Sequence, residues 1–201
     1  LKLYSGDYKF HNHANLAHYA NAACDIEFKF PIGFKELEGI HSRTNYDLLK
    51  HQEYSKKKLT YFDSEINNSY IPCVVETSVG LDRLFLSILC GSFVEEIVKG
   101  DQRIVLKLPN HLAPISVAIL PLVKKDGLND YARNIFNDLK SHFSCHYEEK
   151  DSIGKRYRRQ DAIGTPVCIT IDHDTINDHQ VTLRDRDTMI QKRVSIDNLI
   201  K

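Results

Sequence analysis

The chain has 201 residues, room for one large or two small domains, and its 42% apolar content supports a packed core. Lysine plus arginine equals aspartate plus glutamate, 27 each, so net charge argues for neither nucleic acid nor membrane, and any RNA contact has to come from a local patch. Five cysteines, an odd number with no Cys-x-x-Cys pair, read as reduced thiols of a cytoplasmic protein; no apolar run approaches the ~18–20 residues of a membrane span, and there is no signal-like segment.

In chain order, residues 14–23 read as a helix. Ile26, Phe28 and Phe30 alternate with Glu27 and Lys29, the period-two pattern of a half-buried strand. Pro31-Ile32-Gly33 turns the chain, and residues 34–40 return antiparallel. Residues 44–54 read as a helix capped by Thr44, and residues 59–62 and 70–75 as strands. Residues 79–98 carry the strongest helical pattern, with Leu81, Leu84, Phe85, Ile88 and Leu89 on one face. Residues 99–114, with two prolines and a short strand at 103–108, read as the connector between domains 1–110 and 111–201.

Beyond it, residues 115–122 form an apolar run typical of a strand covered on both faces. An amphipathic helix at 128–140, a strand at 143–147 and a basic helix at 152–162 follow, the last stopped by Gly164-Thr165-Pro166. Strands at 167–172 and 180–186, with one more at 191–194, complete a βαβαβ order. That order predicts an α/β layer fold of ~90 residues.

Two blocks carry chemistry. The first is Asp25-Ile26-Glu27-Phe28 with the stretch from Gly33 to Leu48, which contains Glu36-Leu37-Glu38-Gly39-Ile40-His41-Ser42-Arg43-Thr44-Asn45-Tyr46-Asp47-Leu48. The second is Glu76-Thr77-Ser78-Val79-Gly80-Leu81-Asp82-Arg83, where a strand meets a helix: a carboxylate able to pair with an ammonium, a hydroxyl, a glycine, and an arginine whose planar fork suits phosphate oxygens. The first block resembles the E-L-E-G-I-x-x-R-T-D-Y-D-L signature of the glycyl-tRNA synthetases, with Asn45 in place of Asp. The second resembles their motif 3, E-P-S-x-G-x-D-R, with Thr77 in place of proline, which leaves the loop less rigid. Residues 112–114, 120–127, 151–166 and 181–188 resemble the anticodon-binding domain shared by the glycine, histidine, proline and threonine enzymes.

The resemblance implies an α/β protein with an incomplete antiparallel catalytic sheet, followed by a mixed-sheet anticodon-binding domain flanked by helices. It implies a class II enzyme that activates glycine with ATP and magnesium and transfers it to tRNA(Gly), as a cytoplasmic homodimer. Arg83 would bind the γ-phosphate. Glu36 and Leu37 would line the ATP site, with Glu36 holding Mg2+, and Gly80, Leu81 and Asp82 would complete the nucleotide contact. Glu76 and Ser78 would bind the glycine ammonium, with Thr77 and Val79 as pocket floor and Gly80 beside them. Nothing in the chain matches class II motifs 1 and 2, and the chain begins with Leu1, so a C-terminal piece that cannot activate glycine alone is expected.

Bland readings stand beside these. Arg83 can simply pair with Asp82 or Glu36, and Glu76 can cap a helix. Lys155, Arg156, Arg158 and Arg159, with Tyr157 among them, point in several directions around a helix, so not all can touch one ligand. The glycine anticodon carries cytosines, whose amino groups suit a carboxylate. Glu149 and Asp151, with Lys155 and Arg158, are the candidate anticodon contacts. His11, His13 and His18 lack partners at metal-ligand spacing. Arg184-Asp185-Arg186-Asp187 suggests cross-strand ion pairs. The rival readings of the whole are a non-catalytic RNA-binding module, against which Glu36, Glu76, Ser78 and Arg83 argue, and a protein-interaction or dimerisation piece, which salt-dependent RNA affinity would separate from the first.

Overall fold

A computed structural model describes residues 6–200, in two compact units that divide between Gly91 and Ser92. The elements of the first are β1 (Tyr8–Asn12), β2 (Ala22–Phe30), β3 (Gly33–Ser42), α1 (Tyr46–Ser55), β4 (Tyr61–Asp63), β5 (Asn68–Tyr70), β6 (Val75–Val79) and α2 (Leu81–Ser92). Four strands form an antiparallel sheet in the order β1-β2-β3-β6. The alternation read in β2 decides its facing: Phe28 and Phe30 are buried with Leu37, against Leu84 and Cys90 of α2. A bulge sets the β3 register. Ile26 pairs with Glu38 but Glu27 pairs with Glu36, so Leu37 is the extra residue. It drops into the core while Glu36 stays half-exposed on the opposite face.

Four local expectations change here. Residues 14–23 are not helical: Ala20 makes a single turn bond to Ala17, and β2 has begun by Ala22. A short isolated helix is marginal, and here tertiary contacts prevail, with His18 and Tyr19 stacking on Tyr46. Thr44 precedes the cap: it sits at φ 55°, accepts a 3.4 Å hydrogen bond from the Tyr46 N–H, and leaves the cap position to Asn45. The strand expected at 70–75 is interrupted at Pro72, which lacks an amide donor, so β5 ends at Tyr70 and β6 starts at Val75. Glu76 therefore lies inside a strand. The helix expected to reach residue 98 stops at Ser92.

The second unit contains β7 (Phe93–Val98), β8 (Asp101–Leu106), β9 (Val117–Pro121), α3 (Leu128–Leu139), β10 (Cys145–Tyr147), α4 (Ile153–Ile163), β11 (Val167–Ile171), α5 (Thr175–Asp178), β12 (Gln180–Asp185) and β13 (Gln191–Ser195). The hairpin β7–β8 turns on Lys99 and Gly100, both at positive φ, which matches a two-residue turn. The five-stranded sheet runs β10-β9-β11-β12-β13, with β9 parallel to both neighbours and the rest antiparallel. Both its faces are covered, which is why β9 is apolar throughout. One face buries Ile119, Ile169, Ile171 and Val181 against Leu128, Ala132, Ile135 and Leu139 of α3. The other buries Ala118, Leu120 and Cys168 against Ile153 and Tyr157 of α4.

The division at Gly91/Ser92 assigns the β7–β8 hairpin to the second unit, whereas the prolines and glycine had drawn the boundary at 110/111. A charge cluster is the physical reason: Arg103 of β8, fully buried, bonds Asp161 of α4.

Candidate functional site

In the first unit, strand alternation places Glu76 and Ser78 on one face of β6, opposite His41 and Gly39 of β3. Gly39 leaves that face bare beside Ser78; a Cβ there would come within 3.0 Å of the His41 ring and 3.6 Å of Asp25. Thr77 pairs with Ile40 and faces the other way, so Thr77 and Glu76 are not brought to one side of the strand. Glu76 is held by Arg43 at 2.6 Å. Arg43 is itself gripped by both oxygens of Asp47, in the first turn of α1, and lies over the Tyr19 ring at 4.1 Å. The Asp47 hydrogen bonds raise the Arg43 pKa above its ordinary value, and Arg43 holds the Asp47 carboxyl below its own. Arg43 has no site role in the sequence reading, although it occupies the arginine position of the first block. That match was its available signal.

A groove of about 710 Å³ runs beside this face, lined by Glu36, Leu37 and residues 78–83. The N-terminus of α2, where Leu84 N–H bonds Gly80 C=O, opens into it, so the free amides of a 12-residue helix face the groove. Arg83 donates to the Glu36 carbonyl at 2.7 Å and stands 3.6 Å from its carboxylate. Both side chains are more than half exposed, and such a pair contributes little, so the guanidinium is available to an incoming anion. The structure thus brings Glu36, Leu37, Ser78, Val79, Gly80, Leu81, Asp82 and Arg83 together across more than 40 positions of sequence. A magnesium ion usually takes one or two carboxylates and completes its shell with water and phosphate oxygens; Glu36, exposed at the groove with Asp82 on its wall, fits that donor chemistry.

In the second unit the four candidate residues fall into two places. Glu149 accepts from the Tyr147 hydroxyl at 2.6 Å and lies near Arg133 and Lys124. The Tyr147 hydrogen bond holds its pKa down, while burial and Glu149 push Tyr147 up to about 12. Asp151 accepts from Arg159 at 2.9 Å and is likewise lowered. Lys155 and Arg158 instead line a groove of about 630 Å³ between α4, the tip of the β7–β8 hairpin and β12. The basic run does point in several directions. Arg156 turns inward to the carbonyls of Pro121, Glu148 and Leu122, and Arg159 goes to Glu148 and Asp151.

A buried carboxylate missed in the sequence organises this region. Asp161, fully buried, takes both guanidinium nitrogens of Arg184 at 2.8 and 3.0 Å and Nε of Arg103 at 2.8 Å, with Arg158 at 4.0 Å. Arg103 also bonds Glu96 and the Arg186 carbonyl. Arg186 binds its neighbour Asp187 and the Gly164 carbonyl, and Asp185 holds Thr188. The Arg-Asp-Arg-Asp run therefore makes helix and loop contacts in place of the expected cross-strand pairs.

Residues 116–201 match a family model described as an anticodon binding domain. The chain is 49% identical to the glycine–tRNA ligase of Chlorobaculum tepidum over 93% of its own length and 40% of that protein. It is 52% identical to the one from Treponema denticola, over 96% and 44%. The chain thus spans less than half the length of these curated relatives, and the resemblance read from its motifs is borne out over nearly all of this chain. Among solved structures, the RNA binding domain of threonyl-tRNA synthetase from Cryptosporidium parvum superposes with a TM-score of 0.62 at 20% identity, covering 90% of this chain and 42% of that one. Prolyl-tRNA synthetase of Giardia lamblia gives 0.60 at 19%, covering 91% and 36%. At those identities the superpositions speak to fold, and they support the α/β assignment.

Proposed function

We propose that this chain is a segment of a class II glycine–tRNA ligase, carrying part of the activation site in its first unit and the anticodon-binding domain in its second. The groove that gathers Glu36, Leu37 and residues 78–83 carries the reading, because those are the positions that match the family's nucleotide and amino-acid contacts. In the proposed reaction a glycine carboxylate oxygen bonds the α-phosphorus of ATP as pyrophosphate departs; the tRNA 3′ hydroxyl then displaces AMP from the glycyl carbonyl. Such a displacement needs positioning and charge neutralisation more than proton transfer.

Arg83 would exchange its weak Glu36 contact for the γ-phosphate, with Gly80, Leu81 and Asp82 presenting the helix amides to the nucleotide. Glu36 would hold Mg2+, which neutralises phosphate charge when bound. Glu76 and Ser78 would take the glycine ammonium, with Arg43 balancing the carboxylate, and Thr77 and Val79 backing the strand. Selection of the smallest amino acid then comes from excluding larger ones, which needs no editing site. A homodimeric, cytoplasmic enzyme acting on tRNA(Gly) completes the proposal.

Arg83→Ala in the complete enzyme is expected to lose most glycine-dependent ATP–pyrophosphate exchange, at least about a hundredfold, with the protein still folded. Near-normal exchange in that variant would break the assignment of Arg83 to the γ-phosphate.

A further inference from the structure

The groove of the second unit sets four cations, Lys99, Lys155, Arg158 and Arg184, against one carboxylate, Asp101. Lys155 and Arg158 are three residues apart on α4 and share a face. Arg184 is fixed from two sides, by the two-pronged bond to Asp161 and by the Tyr157 ring 4.6 Å beneath its guanidinium. Arg158 and Arg184 approach the one Asp161 carboxylate, and Arg103 behind them is shared between Asp161 and Glu96, so Lys99, Lys155, Arg158 and Arg184 outnumber Asp101 and Asp161 along this wall before any ligand arrives. Reading a cytosine amino group requires an acceptor. Lysine and arginine side chains are donors only. The groove's side-chain acceptors, Asp101 and the Gln191 amide, are outnumbered by its cations, and the candidate readers Glu149 and Asp151 do not line it and are engaged by Tyr147 and Arg159.

We propose that this groove holds the phosphodiester backbone of an RNA strand and contributes affinity without regard to base identity. The inference rests on the reading of the second unit as an RNA-binding domain, and it assigns Lys155 and Arg158 to phosphate contact in place of anticodon reading. Both side chains reach solvent; Arg158 stands 4.0 Å from Asp161, and replacing it leaves the direct bonds of Arg103 and Arg184 to that carboxylate.

The test uses the 201-residue chain with two probes, a glycine tRNA and the same tRNA with both anticodon cytosines replaced, titrated across a range of salt concentrations. The double variant Lys155→Ala/Arg158→Ala is expected to lose affinity for both RNAs by the same factor, on the order of tenfold, with the salt slope reduced by about one per cation removed. A loss confined to the cognate tRNA would make these residues base readers and overturn the proposal. Unchanged affinity and slope would overturn it as well, leaving a solvated helix face. Absence of RNA binding by the parent chain would overturn the groove together with the RNA-binding reading, and it would show before any substitution is made.

Discussion

At the scale of single residues, polar partners join the β7–β8 hairpin to the apolar core of the second unit. Asp161 is a buried carboxylate between two buried arginines, and removing its charge strands both guanidinium groups in a poorly solvated interior. Asp161→Asn is therefore expected to cost about 3–5 kcal/mol in urea unfolding. A loss below about 1 kcal/mol would mean that water or Glu96 replaces the carboxylate. The sequence showed this cluster only in pieces. Arg184 and Arg186 stood out as charges in a strand, but their partners lie on another element and in a loop, more than 20 positions away in the case of Asp161 and Gly164. Charge alternation suggested a cross-strand ladder because local spacing is all a sequence offers. Motif positions fared differently: Glu36 and residues 78–83 could be named in advance because the resemblance, and not periodicity, tied them together.

At the scale of elements, strands with clean alternation and helices with clean stops were legible. The Gly164 stop is the clearest case. It caps α4 at φ 85°, and a Cβ there would sit 2.9 Å from the Leu106 carbonyl oxygen of β8 and 3.1 Å from Leu108. Gly164→Ala is expected to destabilise the second unit by more than about 1 kcal/mol, since neither the backbone angle nor the carbonyl accommodates a methyl group. Equal thermal stability of that variant would show that the β8 backbone yields.

Elements defined by pairing were harder to read. Residues 93–98 continue the apolar content of α2, so the helix was extended through them. The signals against it were Gly91 and Ser92, poor helix formers, followed by the β-branched Val94, Ile97 and Val98. Lys99-Gly100 then supplies a hairpin turn that reads as a linker when the strand before it is missed. The bulge at Leu37 was invisible for the same reason: it exists only relative to the register of β2.

At the scale of the whole molecule, a net charge of zero conceals two differently charged work surfaces. The first unit pairs one exposed arginine with an acidic groove wall and an open helix N-terminus; among the described residues lining that groove, Arg83 is the one cation. The second unit sets Lys99, Lys155, Arg158 and Arg184 around a groove backed by a buried carboxylate. Summed composition cannot separate these, whereas the fold does so by placing α4 and the β7–β8 hairpin side by side within one unit. We propose that the chain is a segment of a glycine–tRNA ligase whose second unit recognises tRNA. The most direct test is the affinity of the chain for a glycine tRNA against the same tRNA with both anticodon cytosines replaced, at one fixed salt concentration. Tighter binding of the cognate by at least about tenfold, the cost of lost base contacts, is expected. Equal affinity for the two, or no binding to either, would contradict it.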